Sequence, residues 1–426
     1  MKTIYSLILF CSAFLSVRPA FAQIPIYNSY PAASAVIFLD FDGQTVNGTS
    51  WNSNGPIYCE PAGISNDKIT EVFNRVAEDY RPFNINVTTD STKYWSAPAK
   101  KRIRIIHTVS SSWYGNAGGV AYINSFSWGD NTPAFVFTAL LNYGSKNIAE
   151  ASSHEVGHTL GLRHQASYDG SCTKTSEYNY GTGSGEISWA PIMGVGYSKN
   201  LTLWNNGANP YGCTNFQDDL GIITVGNNFL GYRNDDHANT TETATVVAFT
   251  NNAFKTQGII ERPNDVDVIR FNTPTFGRIK VDALPFSVGS GNTGANIDIQ
   301  MELMNGSGVV VGTYNPANLL SASIDTIVPA GTYYVQLRGL GNINAPNYAS
   351  LGSYTINAAF TVTSALPLHK LEMKGVIENN KHKFNWEVVA DEVLTHQSLE
   401  ISTDGSKFTL IRNLGAAARN FEYSPT

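Results

Sequence analysis

Hydrophobic and polar positions follow a strand-like pattern in several stretches of the first half of the chain. Residues 35–42 (AVIFLDFD) form a nearly continuous apolar run. Residues 101–109 (KRIRIIHTV) alternate between polar and apolar side chains and include several β-branched residues. The first pattern predicts a central strand and the second a half-buried one. Residues 118–126 (GGVAYINSF) and 133–140 (PAFVFTAL) predict two further strands.

Helical periodicity lies between the first two of these strands. After the cap-type residue Ser65, apolar residues recur at intervals of three and four up to Pro82, which predicts a helix with one face packed on a sheet. The apolar face comprises Ile69, Val72, Phe73, Val76 and Tyr80. A second helix is predicted from about Lys146 and a last one over residues 213–225. Strands and helices in this order predict an α/β domain with a sheet and a layer of helices over residues 23–232.

The second half of the chain changes character. Residues 233–244 are polar and predict a linker. Residues 245–362 contain short apolar segments about ten residues apart with turn residues between them, which predicts an all-β sandwich. Residues 366–426 predict a further, incomplete β-sandwich segment. The expected fold is therefore multidomain, with an α/β domain followed by β-sandwich structure.

The N-terminal residues 1–22 predict the compartment. Lys2 precedes an apolar run over residues 4–17, and Ala-Phe-Ala at residues 20–22 ends the segment. This is the pattern of a cleaved secretory signal, too short for a good membrane span, so we expect no transmembrane segment and a secreted or cell-surface protein. The formal net charge of −6 and the lack of a basic run give no support to nucleic-acid binding.

Three cysteines follow the signal segment. In an oxidising compartment they can form one disulfide in three ways. We favour a bond between Cys172 and Cys213, because both flank the segment expected to form the floor of the active site. Cys59 is then free and buried.

Candidate chemistry concentrates between His154 and His164, where the chain reads HEVGHTLGLRH. Residues four apart on a helix lie about 40° apart around its axis, so His154 and His158 project from one face. Gly161 permits a sharp turn after the helix, which brings His164 back as a third ligand. Three neutral imidazoles suit Zn²⁺. Glu155 is placed to act as the general base.

The spacing H-E-x-x-H-x-x-G-x-x-H resembles the metzincin signature of zinc proteases. The resemblance covers residues 35–225 and implies a metzincin-like α/β domain with a twisted mixed sheet and a zinc helix. It also implies an apolar methionine turn beneath the metal, for which Met193 in SWAPIMGVGY is the candidate. Some metzincins carry a tyrosine two residues after this methionine. Here Val195 holds that position, and Tyr197, four residues after it, is the candidate for binding the oxyanion.

The same resemblance implies how substrate would bind. In metzincins, the strand upstream of the zinc helix pairs with the peptide, so Gly119, Val120, Ala121 and Tyr122 are the expected substrate-binding residues. An ordinary sheet edge is the equally weighted alternative. The protein or peptide substrate and its side-chain preference are not specified by the sequence, and neither is the oligomeric state.

Two resemblances concern the C-terminal half. Residues 238–362, with GIIERPNDVDVIRF and AGTYYVQLRG, resemble the bacterial pre-peptidase C-terminal domain. Asp265 and Asp267 are possible Ca²⁺ ligands there, although turn and strand-start roles fit them better. Residues 366–426 resemble the fibronectin-III-like segment that precedes sorting domains in type IX secretion, which implies that route as one alternative.

The combined expectation is a secreted zinc metalloendopeptidase. Two alternatives remain open: an adhesion or binding protein with an inactive protease-like domain, and a zinc amidase acting on cell-wall material. The complete set of His154, Glu155, His158 and His164 argues against an inactive relic.

Overall fold

The computed structural model describes residues 23–226, 228–363, 368–390 and 394–424. The predicted signal peptide lies outside the described residues. The chain divides into two compact units: one includes the residues up to 271 with 281–324 and 333–358, and the other includes 272–280, 325–332 and the residues from 359 onward. Both are rich in β structure, and no helix in the described part of the chain is long and apolar enough to cross a lipid bilayer.

The N-terminal region, residues 23–232, carries the helices. They are α1 (Asn66–Asp79), α2 (Ser91–Ser96), α3 (Ser145–Thr159) and α4 (Asp219–Thr224). Its strands are β1 (Ala35–Asp40), β2 (Gln44–Val46), β3 (Ile57–Cys59), β4 (Ile85–Thr88), β5 (Arg102–Thr108), β6 (Gly119–Val120), β7 (Ala134–Phe137), β8 (Ser167–Tyr168), β9 (Lys174–Ser176), β10 (Trp189–Pro191), β11 (Leu201–Leu203), β12 (Asn206–Ala208) and β13 (Phe216–Asp218).

A five-stranded mixed sheet with the order β4-β1-β5-β7-β6 organises this region. β1 runs parallel to β4 and β5, and β5 runs parallel to β7, whereas the edge strand β6 is antiparallel to β7. Every residue of β1 is buried, as expected for a central strand covered on both faces. The strand predicted over residues 118–126 is reduced to β6, because Asn124 takes a left-handed conformation and a 3₁₀ turn follows.

Helix α1 forms where the periodicity predicts it. The Ser65 hydroxyl accepts a hydrogen bond from the Lys68 amide at 3.5 Å and caps the first turn. The apolar stripe, including Val72 and Val76, is fully buried, and each such side chain stabilises the fold by roughly 1.5–3 kcal/mol. The helix packs against both β4 and α3.

We call residues 245–362 the β region. Its strands are β14 (Thr245–Val246), β15 (Ala253–Ile260), β16 (Asp267–Thr273), β17 (Gly277–Pro285), β18 (Asp298–Asn305), β19 (Val310–Tyr314), β20 (Ala322–Val328), β21 (Gly331–Leu340) and β22 (Gly352–Val362). They form sheets with the orders β14-β16-β21-β18-β19 and β15-β22-β17-β20. Burial alternates along β17, as expected for a strand with one face in a core. The sandwich packing itself stays a prediction.

The C-terminal segment is also made of strands. They are β23 (Leu368–Glu378), β24 (Lys381–Ala390), β25 (His396–Ile401), β26 (Thr409–Gly415) and β27 (Asn420–Tyr423), in a three-stranded sheet β23-β24-β27 and a β25-β26 pair. The fibronectin-III-like assignment and the predicted domain boundaries stay predictions.

Candidate active site

Helix α3 positions the first two histidines of the motif. His154 and His158 lie one turn apart on its buried face, and their ring centroids are 4.7 Å apart. The helix ends after Thr159, and Gly161 has a φ of +108°. A β-carbon at Gly161 would also lie 2.5 Å from Oδ1 of Asn124, so glycine is required at this turn on both counts.

This turn brings His164 back to the other two rings. Its centroid lies 5.2 Å from that of His154 and 4.9 Å from that of His158. One nitrogen from each of the three residues lies within 4.8 Å of the others, a separation that allows one metal ion to bind all three. We call these residues the imidazole cluster.

The Nδ1 atoms of the cluster all face acceptors. Nδ1 of His154 lies 2.8 Å from the carbonyl oxygen of Ile192, and Nδ1 of His158 lies 2.8 Å from that of Leu162. Both Nδ1 atoms therefore carry the proton and donate, which leaves each Nε2 lone pair available. Nδ1 of His164 lies 3.3 Å from Oε1 of Glu177.

Burial keeps the imidazoles neutral. Desolvation lowers the pKa of His158 to about 4, lowers that of His154 well below its usual value and lowers that of His164. A metal ligand must be the neutral imidazole, so a neutral ring with a free Nε2 and an oriented Nδ1–H is the form that binds zinc. The donor set thus fits Zn²⁺.

Met193 lies directly against α3, at the helix residue that precedes His158. It is completely buried, and a β-carbon added at Gly157 would lie 2.5 Å from its sulphur. The carbonyl oxygen of Met193 accepts a hydrogen bond from the Gln165 amide at 2.8 Å, which ties the residue after His164 to the same turn. We call residues 191–197 the Met193 turn.

Glu155 faces the edge of the sheet. Its side chain is 7% exposed, and Oε2 is buried without a hydrogen-bond partner among the described residues. A β-carbon at Gly119 would lie 2.7 Å from Cγ and 2.8 Å from Oε1 of Glu155, so the β6 backbone directly contacts this carboxylate. Desolvation raises the pKa of Glu155 to about 8. A carboxyl group with this pKa is mostly protonated at neutral pH; a cation bound nearby would favour its ionised form, in which the unused oxygen can take a proton from a reactant.

A cavity of about 230 Å³ adjoins Glu155 and His154. Tyr197 lines it, and its hydroxyl lies 3.1 Å from the position of a β-carbon at Gly118. Burial, and then the nearby acidic side chains, raise the pKa of Tyr197 to about 12, so the hydroxyl keeps its proton and can donate. The structure thus brings Tyr197 to the same cavity as Glu155.

Of the four predicted substrate-binding residues, Gly119 and Val120 form β6 at the sheet edge. Ala121 and Tyr122 follow the strand without pairing to β7. The Tyr122 ring lies 4.0 Å from that of Trp51 and its hydroxyl donates to the Ser50 carbonyl oxygen. A substrate-pairing role stays a prediction for all four.

Two residues close to the imidazole cluster escaped sequence reasoning. Tyr178 lies with its ring centroid 4.3 Å from that of His164, and Glu177 faces Nδ1 of the same histidine. Both come from residues 165–190, which the composition predicts only as a surface loop. A tyrosine and a glutamate in such a loop carry no spacing signal, so nothing in the sequence marks them.

The remaining candidates are the cysteines and two aspartates. Cys172 and Cys213 form a disulfide, and Cys59 is free and buried. Carboxylate oxygens of Asp265 and Asp267 lie within 4.8 Å of one another and of Asp235, and calcium binding there stays a prediction.

Comparison with known proteins adds one informative match. Residues 91–215 are similar to a family described as metallo-peptidase family M12B, reprolysin-like. This segment contains the whole histidine motif and the Met193 turn. The match supports a zinc metallopeptidase in general, and peptidases of this kind act on proteins or peptides. A search of the curated proteins finds no match.

Two solved structures resemble parts of the chain. The pre-peptidase C-terminal domain of collagenase from Bacillus anthracis has 17% identity and a TM-score of 0.20, with 29% of this chain and 100% of that one covered. The periplasmic g-type lysozyme inhibitor PliG from Aeromonas hydrophila has 10% identity and a TM-score of 0.19, with 28% and 97% covered. At these scores neither likeness carries an argument.

Proposed function

We propose that the protein is a secreted zinc-dependent endopeptidase. The observation that carries the proposal is the imidazole cluster: three neutral rings with nitrogens within 4.8 Å of one another, beside the buried Oε2 of Glu155, which has no partner among the described residues. The metallopeptidase match over residues 91–215 supports the same reaction class. The signal-type sequence of residues 1–22 and the disulfide support secretion.

His154, His158 and His164 would hold the ion. A zinc ion held there would supply Lewis-acid chemistry, lowering the pKa of water and polarising a scissile carbonyl group. Glu155 takes the proton from the attacking water and passes it to the leaving amine as the peptide bond breaks. Its burial and the absence of a competing partner in the described part of the chain keep Oε2 free for this transfer. The Tyr197 hydroxyl, protonated at neutral pH, donates to the developing oxyanion.

Substrate would enter along β6. Among the described strands, this edge strand of the mixed sheet pairs on one side only, to β7, so its other side can take an extended peptide. Gly119 contacts Glu155, which places the backbone of such a peptide beside the general base. The adjoining 230 Å³ cavity is large enough for one side chain.

Replacement of the general base tests the proposal. We expect Glu155→Ala to retain zinc and to lose casein hydrolysis by a factor on the order of 10²–10⁴ or more, the usual contribution of a positioned base. Glu60→Ala is the matched control, because Glu60 is an exposed acid of the same region. Metal analysis and hydrolysis with and without a chelator are measured together.

Each outcome of this experiment decides something. Hydrolysis by Glu155→Ala at the parent rate would remove Glu155 from the mechanism. An unmodified chain that binds zinc and cleaves no protein, whether or not chelator is present, would favour the binding-protein alternative. Release of peptidoglycan fragments without cleavage of casein would favour the amidase.

A further inference from the structure

Polar groups of the β region pair with acidic groups of the N-terminal region. Residues 281–324 and 333–358 belong to the same compact unit as the residues up to 271. Four acidic side chains of the N-terminal region accept hydrogen bonds from them. These acceptors are Glu78, Asp79, Glu186 and Asp218. Glu78 and Asp79 end α1, which packs against α3, whereas Glu186 precedes β10 and Asp218 precedes α4.

The first pairing reaches α3. Asn296 Nδ2 donates to Oδ1 of Asp79 at 2.7 Å, and the other oxygen of Asp79 accepts from the Ser153 hydroxyl at 2.5 Å. Ser153 immediately precedes His154. The Tyr80 hydroxyl donates to the Ser153 carbonyl oxygen at 2.9 Å. Asp79 and Asn296 are both about 5% exposed, so the chain of bonds from the β region to the residue before His154 is buried.

The second pairing involves the neighbouring carboxylate. Glu78 is fully buried, and both its oxygens accept from Ser353, from the amide at 2.6 Å and from the hydroxyl at 3.0 Å. A β-carbon at Gly352 would lie 2.7 Å from Oε1 of Glu78, so the close approach of the two regions requires glycine there. The end of α1 is thus fixed to the β region at two successive residues.

A third pairing fixes the segment that leads into the Met193 turn. Oε1 of Glu186 accepts from Asn292 Nδ2 at 2.7 Å and from the Leu320 amide at 2.8 Å. The next carbonyl oxygen, that of Ile187, accepts from Asn344 Nδ2 at 3.2 Å. The chain then runs through β10 to Ile192, whose carbonyl oxygen orients His154.

The fourth pairing reaches the surroundings of His164. The Tyr348 hydroxyl bonds to Oδ1 of Asp218 and accepts from the Leu220 amide at 2.8 Å, at the start of α4. Gln217, one residue earlier, pairs with the backbone of Arg163 through both atoms of its amide. The backbone of Arg163, directly before His164, is therefore connected through Gln217 and Asp218 to Tyr348 of the β region.

From these contacts we infer that the β region contributes to catalysis by holding the active-site elements in position, with Asn296 and Tyr348 as positioning residues for the zinc ligands. This inference rests on the proposed function. A buried carboxylate that loses a partner keeps its desolvation cost, so the structure relaxes around it. Ligand-orienting contacts of this kind typically change metal affinity or activity by about 10–100-fold when they are removed.

The test uses the full chain with Asn296→Ala and Tyr348→Phe. Zinc affinity is measured by competition with a chromophoric chelator, and kcat and KM are measured on one peptide. We expect each variant to raise the zinc dissociation constant and lower kcat, by about tenfold for Asn296→Ala, while KM stays within about twofold. Because Phe keeps the ring of Tyr348, the second variant tests the inference even if the first folds poorly.

Two controls separate positioning from general stability. Asn315→Ala removes an exposed asparagine of the same region, and it should change nothing. Val335→Ala opens a gap in the buried face of β21, and it should lower the thermal midpoint without changing kcat or zinc affinity.

Two results would overturn the inference. One is wild-type zinc affinity and kcat in both Asn296→Ala and Tyr348→Phe. The other is a loss of zinc affinity and kcat in Val335→Ala that equals the loss in Asn296→Ala and Tyr348→Phe when the variants have the same thermal midpoint. A wild-type chain that binds zinc but cleaves no peptide would overturn the proposed function alone, because the zinc competition still measures positioning.

Discussion

The contact between Gly157 and Met193 gives the most decisive prediction about the geometry of the site. In Gly157→Ala the new β-carbon would lie 2.5 Å from the sulphur and 3.4 Å from Cδ1 of Leu162. Heavy atoms pack at about 3.5–4.0 Å, so the sulphur must move by about 1 Å. Met193 is fully buried, so its displaced sulphur stays within the packed interior. We expect this displacement to push the Met193 turn away from α3.

Two opposing effects set the magnitude. Alanine is favoured over glycine in a helix interior by about 1 kcal/mol, which would stabilise α3. An extra carbon in a well-packed core costs about 1–3 kcal/mol. We expect the packing cost to dominate and the free energy of unfolding to fall by roughly 0–2 kcal/mol. A shift of Ile192 also disturbs its bond to His154, so zinc affinity should fall about tenfold.

The assay combines unfolding followed by circular dichroism with chelator competition for zinc. Met193→Ala alone should cost about 2–5 kcal/mol, as a buried large-to-small change. In the double variant the alanine at 157 partly fills the space that Met193 leaves. The loss of unfolding free energy in the double variant should therefore be smaller than the sum of the two single losses by about 0.5–3 kcal/mol. Gly170→Ala, with no described heavy atom within 4 Å of the new carbon, is the control.

One result would refute this reasoning. If Gly157→Ala raised the free energy of unfolding by the full helix-propensity gain and kept zinc affinity, the helix and the Met193 turn would not be in contact. Additive losses in the double variant would lead to the same conclusion.

Three further predictions concern single side chains. Gly119→Ala should displace the Glu155 carboxylate, 2.8 Å from the new carbon, and lower kcat by about 10–100-fold with zinc retained; kinetics with metal analysis checks this. Glu177→Gln removes the carboxylate beside His164 and should weaken zinc binding about tenfold in chelator competition. Tyr197→Phe should lower kcat by about 10²–10³ with KM unchanged, as for loss of an oxyanion donor.

Each of these predictions has a contrary outcome. Normal kcat in Gly119→Ala would mean that the β6 backbone does not limit Glu155. Unchanged zinc affinity in Glu177→Gln would mean that the 3.3 Å contact does not orient the ring. Wild-type kcat in Tyr197→Phe would remove that hydroxyl from the reaction, and Tyr178→Phe is then the variant to measure.

Local signals explain why much of the site could be predicted from sequence. His154 and His158 share one helix face because of helical geometry alone. The φ of +108° at residue 161 favours glycine for an equally local reason. Helix α1 begins one residue after Ser65, because capping is also a local interaction. The strand predicted over residues 118–126 is shorter in the structure, because its extent depends both on the left-handed Asn124 and on how far β7 runs beside it.

Long-range contacts could not be predicted in this way, and they bear on how the site works. Asn296 and Asp79 are 217 residues apart in sequence, and an asparagine near a strand start has no feature that predicts a carboxylate partner. The same holds for Tyr348 and Asp218, 130 residues apart. A motif search therefore finds the ligands but not what orients them. If the orienting groups come from the β region, sequence changes there alter zinc affinity without touching the motif, and the histidine signature alone does not measure catalytic competence.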